Sequence, residues 1–284
     1  MTTRRRLLQN SLALGALGVA STDAAIAATR GKTAAAAQPE APLREPLAAA
    51  SLHKLYRRIR FGADGAAVYW WLHGTRYGLV DNVLTPFFDM HVASIHRRRD
   101  LDADRYEISS ASAIYYTATG ATTLLERWPN PVTGAEVKFD YPAPRVTLAS
   151  YSLRDGVLAE PEAPGARSER KHFVGPARAD AGRVWLDEAS YIRVDRGSTP
   201  PMKVHDMYTY SVAAADLAAP LAFTPALAAF NDFNDWSPRF EMGDRPGSSI
   251  SRCTGSKVAT FEELPATWRA LFAARHPQGF DALR

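Results

Sequence analysis

Three kinds of side chain in this sequence can do chemistry: carboxylates set into apolar alternation, tyrosines beside them, and histidines on separate extended runs. Glu188 stands in the alternating set Val184, Leu186, Glu188, Ser190, Ile192 and Val194. A carboxylate on a mostly apolar face is desolvated, so it is either paired or carries a raised pKa, and a raised pKa suits a general acid or base. The structural alternative is an ion pair with an arginine such as Arg183 or Arg193. Asp206 alternates with Val204, Tyr208 and Tyr210, which sets a carboxylate beside two phenols. Such phenols bind a ligand hydroxyl or carbonyl, or act as the acid in enolisation; equally, they pack as core or rim.

His73 shares its face with Tyr69 and Trp71, and His91 alternates with Asp89. Glu188, Asp206, His73, His91 and Tyr208 are therefore the candidate catalytic groups. With His205, the two histidines are also what a barrel would use to converge on a metal. Nothing in their spacing requires a metal, and no cofactor is expected; hydrogen-bonded or exposed histidines are the alternative. His53, His172 and His276 read as solvated residues at element ends. Trp71, Tyr115, Trp128, Trp185 and Tyr210 are candidate walls for a flat ligand, unless the rings simply fill the interior. Arg245, between two glycines, is a candidate partner for an anionic group. The patterns CxxC, HExxH, GxSxG and the phosphate-binding loop are all missing, which leaves zinc protease, α/β-hydrolase and nucleotide hydrolase readings without support. The lone Cys253 excludes an internal disulfide and reads as an incidental thiol.

These residues need strands to position them. Period-two alternation marks Val68–Tyr77, Phe87–His96, Tyr106–Tyr116, Thr122–Trp128, Val137–Phe139, Arg145–Tyr151, Arg183–Asp195 and Val204–Val212. Leu264–Arg275 reads as a C-terminal helix and Ala213–Leu217 as one short turn. Glu160–Lys171 reads as an exposed loop. No βαβ rhythm is visible. The expected fold is mainly β: a single antiparallel barrel or strongly curled sheet, calycin-like, with a C-terminal helix.

The N-terminus sets the expected location. Arg4-Arg5-Arg6-Leu7-Leu8, a short Gly/Ala-rich apolar run and Ala25-Ile26-Ala27 together make an export signal of the twin-arginine type, cut after Ala27. The apolar run is too short to span a bilayer. Residues 28–50, rich in Ala and Pro, read as a flexible tether, and residues 51–284 as one β-rich domain. The net charge of +4 and pI near 9.2 at first suggest an acidic partner. Arg4, Arg5 and Arg6 against Asp23 account for half of that charge, and the remainder is interleaved rather than gathered into a stripe. Nucleic acid is excluded as a partner on that ground. The expected partners are the twin-arginine translocon during export and then a small-molecule ligand in the periplasm, with no stable membrane insertion.

Three segments resemble a known family. Arg127-Trp128-Pro129-Asn130-Pro131-Val132-Thr133-Gly134, Glu241-Met242-Gly243-Asp244-Arg245-Pro246-Gly247, and Gly255-Ser256-Lys257 followed by Leu264-Pro265 are similar to domain-of-unknown-function family 1838. The resemblance runs from about residue 52 to residue 275. It implies relatedness and a twin-arginine export habit, and transfers no reaction. Taken without the family, both turn motifs are strand-connecting chemistry. Two functions follow from the residues themselves. One is an exported acid–base enzyme of lyase, isomerase or hydrolase type, acting on a small aromatic or hydrophobic carbonyl compound. The other is a lipocalin-like carrier that binds a small hydrophobic ligand unchanged. Converging ionisable groups would favour the enzyme, and a deep cavity walled only by aromatics the carrier.

Overall fold

A computed structural model describes residues 38–159, 167–195 and 201–277. The first element is a helix, α1 (Leu52–Arg60), followed by a meander of three long strands: β1 (Ala67–Val80), β2 (Val83–Asp100) and β3 (Arg105–Thr117). A two-stranded hairpin, β4 (Arg127–Pro129) and β5 (Glu136–Lys138), stands apart from the main sheet. β6 (Thr147–Ser152) then pairs on β3, and β7 (Gly156–Ala159) on β6. A second meander runs through β8 (Arg167–Asp180), β9 (Arg183–Asp195), β10 (Met202–Ala213), β11 (Leu227–Asn234) and β12 (Ser248–Val258), interrupted by α2 (Ala214–Ala218). A last helix, α3 (Ala266–Arg275), closes the described chain.

β12 pairs antiparallel with β1 as well as with β11. The result is one sheet of ten strands, ordered β7-β6-β3-β2-β1-β12-β11-β10-β9-β8. It is mainly β, antiparallel and strongly curled, as expected. The two edge strands, β7 and β8, lie against each other, but no ladder joins them among the described residues. The seam of the curl therefore lies in mid-chain, and α1 packs against β8 beside it.

The inward face is set by the pleat. It carries Trp70, Leu72 and Arg76 on β1, Met90, Val92, Ser94 and His96 on β2, Leu186 and Glu188 on β9, and Asp206, Tyr208 and Tyr210 on β10; apart from Trp70, Leu72, Met90, Val92 and Leu186, every member of this set is polar or phenolic, and all are buried. α3 covers the opposite face, with Trp268 and Phe272 against Tyr115 of β3 at ring separations of 5.9 and 6.5 Å. The hairpin β4–β5 closes one end with Trp128, which packs on Phe87, Phe88 and Phe240. Asn130 fastens that hairpin: its Oδ1 accepts from Val132 N at 2.9 Å, and its Nδ2 donates to the Phe240 carbonyl at 2.7 Å. The turn motif around residue 130 is thereby tied to the one around residue 242.

Several elements differ from the sequence expectation. Thr122–Trp128 is not a strand for most of its length; only a bridge at Leu124 and β4 at its end pair. Residues 160–166 of the expected loop lie outside the described residues, and Arg167–Lys171 belongs to β8. β11 and β12 were not expected, because their pattern is inverted. β12 turns Ser249, Ser251, Cys253 and Lys257 inward, while β11 leaves Leu227 and Phe233 exposed. α1 was masked by its basic residues, although Leu55, Tyr56, Ile59 and Arg60 form one buried face. Ahead of α1, Leu43 N donates to the Leu217 carbonyl at 2.8 Å and Glu40 pairs with Arg98 and Arg57.

Backbones approach each other closely where β1 meets β12. A Cβ on Gly74 would stand 1.9 Å from the Arg252 carbonyl oxygen, and one on Gly255 only 1.8 Å from that of Trp71. Glycine lets the two backbones close on each other as the sheet curls. Gly74→Ala and Gly255→Ala are each expected to cost about 3 kcal/mol through overpacking. Urea unfolding measures this directly, and wild-type stability in either variant would contradict it.

Candidate functional site

The site forms where α1 enters the curled sheet beside β9 and β10. Lys257 of β12 donates through Nζ to the carbonyls of Arg58, Ile59 and Phe61 at 3.1, 2.6 and 3.0 Å. Trp70 Nε1 takes the Arg60 carbonyl at 2.8 Å. The carbonyls that a helix end leaves without partners are thus capped inside the barrel. Burial pushes the Lys257 ammonium well below the usual lysine range, despite the opposing pull of Glu40.

That anchorage delivers Tyr56 and Arg60, one helical turn apart, to Glu188. Glu188 Oε1 accepts from Tyr56 Oη and from His172 Nε2, both at 2.8 Å. Oε2 accepts from Tyr210 Oη at 2.5 Å, and Arg60 Nε stands 3.9 Å away. Burial alone would raise the carboxyl. The hydrogen bond and charge of His172, then Arg60 and Tyr210, outweigh it and hold Glu188 down at about 2. Glu188 is therefore an ionised acceptor. Its partners are Arg60 and His172, where the sequence suggested Arg183 or Arg193. Burial, and then the neighbouring carboxylate, pushes Tyr56 well above the usual phenol range. Burial does the same to Tyr210, against the pull of Arg60.

On the other side of Arg60 lies a small cavity lined by Arg60, Trp70, Ser94, Tyr208 and Tyr210 with apolar neighbours Leu72 and Val92. Its volume is about 10 Å³, room for a single water molecule. The guanidinium sits among rings, 5.5 Å from the centroid of Trp70, 5.7 Å from Tyr208 and 5.9 Å from Tyr210. His96 borders it, hydrogen-bonded to Ser94 Oγ at 2.9 Å. Burial and the Arg60 charge hold that imidazole well below its usual range, hence neutral.

Of the residues singled out from sequence, the structure gathers Glu188, Tyr208 and Tyr210 here. Asp206 follows on the same inward face, cross-strand from Ser190 and Asp232. His73 and His91 lie on the opposite face of the sheet, their rings stacked 4.4 Å apart. Burial and His73 lower His91 to about 4. His205 packs on Tyr191 at 4.9 Å, three strands away from β1 in sheet order through β12 and β11, and no set of metal-binding side chains gathers among the described residues. Trp71 and Tyr115 face the α3 side, Trp128 closes the barrel end, Trp185 is half-buried on the outer face, and Arg245 is exposed in its turn. Burial pushes the Cys253 thiol up to about 12.

Tyr56, Arg60, His96, His172 and Lys257 were missed. The i, i+4 spacing of Tyr56 and Arg60 in an amphipathic LYRRIR segment was the available signal for two of them. His172 alternates with Arg170 and Val174 on β8, a strand concealed by its charges.

Residues 190–282 match the model of a family described as protein of unknown function, DUF1838, which bears out the motif resemblance over that stretch. The match takes in Tyr208, Tyr210 and Lys257. No curated protein matches the chain.

The ionised Glu188 makes stability pH-dependent. Its folded pKa of about 2 lies below the ordinary 4.5, so its contribution is present above the ordinary value and is lost as pH falls towards 2. That contribution is about 3 kcal/mol. Urea unfolding across acid pH is expected to show Glu188→Gln with a flatter acid limb than wild type; parallel curves would contradict the ionised assignment.

Proposed function

For this DUF1838 family member, a family whose description carries no reaction, we propose an exported acid–base enzyme of lyase, isomerase or hydrolase type acting on a small aromatic or hydrophobic carbonyl compound. The observation that supports this reading most is the pair His172 Nε2–Glu188 Oε1 at 2.8 Å. A buried carboxylate held ionised orients the imidazole through Nε2, and Nδ1 is the nitrogen that would exchange a proton with the substrate. Tyr56 and Tyr210 complete the carboxylate's shell and keep it from taking the proton itself. Tyr208 and Trp70 supply the wall on which the substrate rests. Since β7 and β8 meet without pairing, the seam beside His172 is the way in.

On this reading the activity lies in the periplasm, reached through the twin-arginine translocon, and the N-terminal sequence pattern supports that location. A second reading, a carrier, draws support from the many aromatic rings of the interior.

Incubation of the purified chain with a panel of small carbonyl compounds, followed by NMR, separates the two. Turnover is expected, with His172→Asn and Glu188→Gln each lowering kcat about 100-fold or more while circular dichroism stays native. Folded variants that turn over at the wild-type rate would sink the acid–base assignment. A co-purified ligand recovered unchanged, with no turnover of it or of the panel, would establish the carrier instead.

A further inference from the structure

Arg60 is only 8% exposed, yet its guanidinium makes no close hydrogen bond among the described residues. Its polar contacts are His96 Nε2, 3.5 Å from Nη1, and Glu188 Oε2, 3.9 Å from Nε. Other buried arginines of this fold behave differently. Arg76 Nη1 reaches both oxygens of Asp232 at 2.6 Å, and Arg58 Nη1 reaches the Ala41 carbonyl at 2.6 Å. Desolvating a charged fork of five donors without spending them is costly. Glu188 cannot take up the surplus, because both of its oxygens already hold shorter bonds from Tyr56, His172 and Tyr210. Tyr208 repeats the pattern in the same cavity wall. It is 5% exposed, and its Oη has no hydrogen-bond partner among the described residues.

We propose that Arg60 and Tyr208 bind the carboxylate of a small organic acid. The substrate of the acid–base reaction is then a carbonyl compound that also carries a carboxylate, an extension that rests on the His172–Glu188 reading. The binding itself does not rest on it. A planar guanidinium edge matches a carboxylate with two parallel bonds, and the phenol supplies a third donor. The one-water cavity holds a single carboxylate oxygen against Arg60 and Tyr208, and a planar head demands less further room than a tetrahedral oxoanion. The flanking rings of Trp70 and Tyr210 suit the apolar remainder.

Saturation-transfer NMR on the full chain, with acetate and acetamide as probes and sulfate as competitor at constant ionic strength, tests the site. Acetate is expected to bind at least tenfold more tightly than acetamide, and sulfate is expected not to displace it. Arg60→Gln should abolish acetate binding. Should that variant not fold, Tyr208→Phe carries the test: acetate affinity falls at least fivefold, while Tm stays level or rises, because the hydroxyl removed had no partner. A merely structural Tyr208 would leave affinity unchanged. Equal binding of acetate and acetamide, displacement by sulfate, or unaltered affinity in Tyr208→Phe would each overturn the proposal. Tyr208-dependent acetate binding in a protein without turnover would sink the acid–base reading alone; turnover without such binding would sink the carboxylate site alone.

Discussion

A single ammonium inside the barrel determines where the chemistry of this protein can lie. Lys257 spans from the last inward position of β12 to three carbonyls at the end of α1. A buried charge is tolerated only where donors and acceptors replace its water, and the open end of a helix offers a ready-made set of acceptors at its negative pole. Once that contact is made, the helix end has little freedom to move. Tyr56 and Arg60 then project to the same carboxylate from consecutive turns, and the Arg60 carbonyl is taken up by Trp70. The position of Glu188's shell is thus set from two directions, by the register of β9 against β10 and by the docking of α1.

The interior holds two carboxylate–arginine systems, and their difference is informative. At Asp232 the arginine, the serine hydroxyl of Ser251 and its backbone N–H all converge within 3.1 Å. The carboxylate there is fully bonded, although Arg76 Nε keeps no partner among the described residues, and the group lies across β11, β12 and β1, where it ties neighbouring strands together. At Glu188 the carboxylate is saturated by two phenols and an imidazole, while the arginine is left over. On the carboxylate proposal, the undersupplied cation and the unpartnered phenol beside Glu188 are the groups a ligand would complete.

The sheet was legible in the sequence wherever its strands obeyed apolar-in, polar-out alternation. β9 and β10 follow that rule, so Glu188, Tyr208 and Tyr210 could be placed on one face before any coordinates. β11 and β12 break it, because the close backbone approach at Gly74 and Gly255 brings small side chains inward and leaves Leu227 and Phe233 outside. Such strands carry no periodic signal even though they are central to the sheet. The pairing of Glu188 was also beyond reach. A buried carboxylate in isolation points to a raised pKa, and the groups that reverse the sign, His172 and Arg60, come from β8 and α1 and are 16 and 128 residues away by their numbers. Period identifies which face a side chain takes; it says nothing about who waits there.

The pairing of β1 with β12 joins residues such as Tyr69 and Val258, close to opposite ends of the folded chain. Every other ladder of the sheet connects strands that are near in sequence. The loop closed by this one ladder is the longest in the molecule, and its entropy can be repaid only when the final strand has left the ribosome. Until then, the inner edge of β1 is an open template, and Lys257 is not yet present to hold α1 in place. The last strand of the sheet to be made is thus the one that joins the first meander to the second and, through Lys257, fixes α1 at the site.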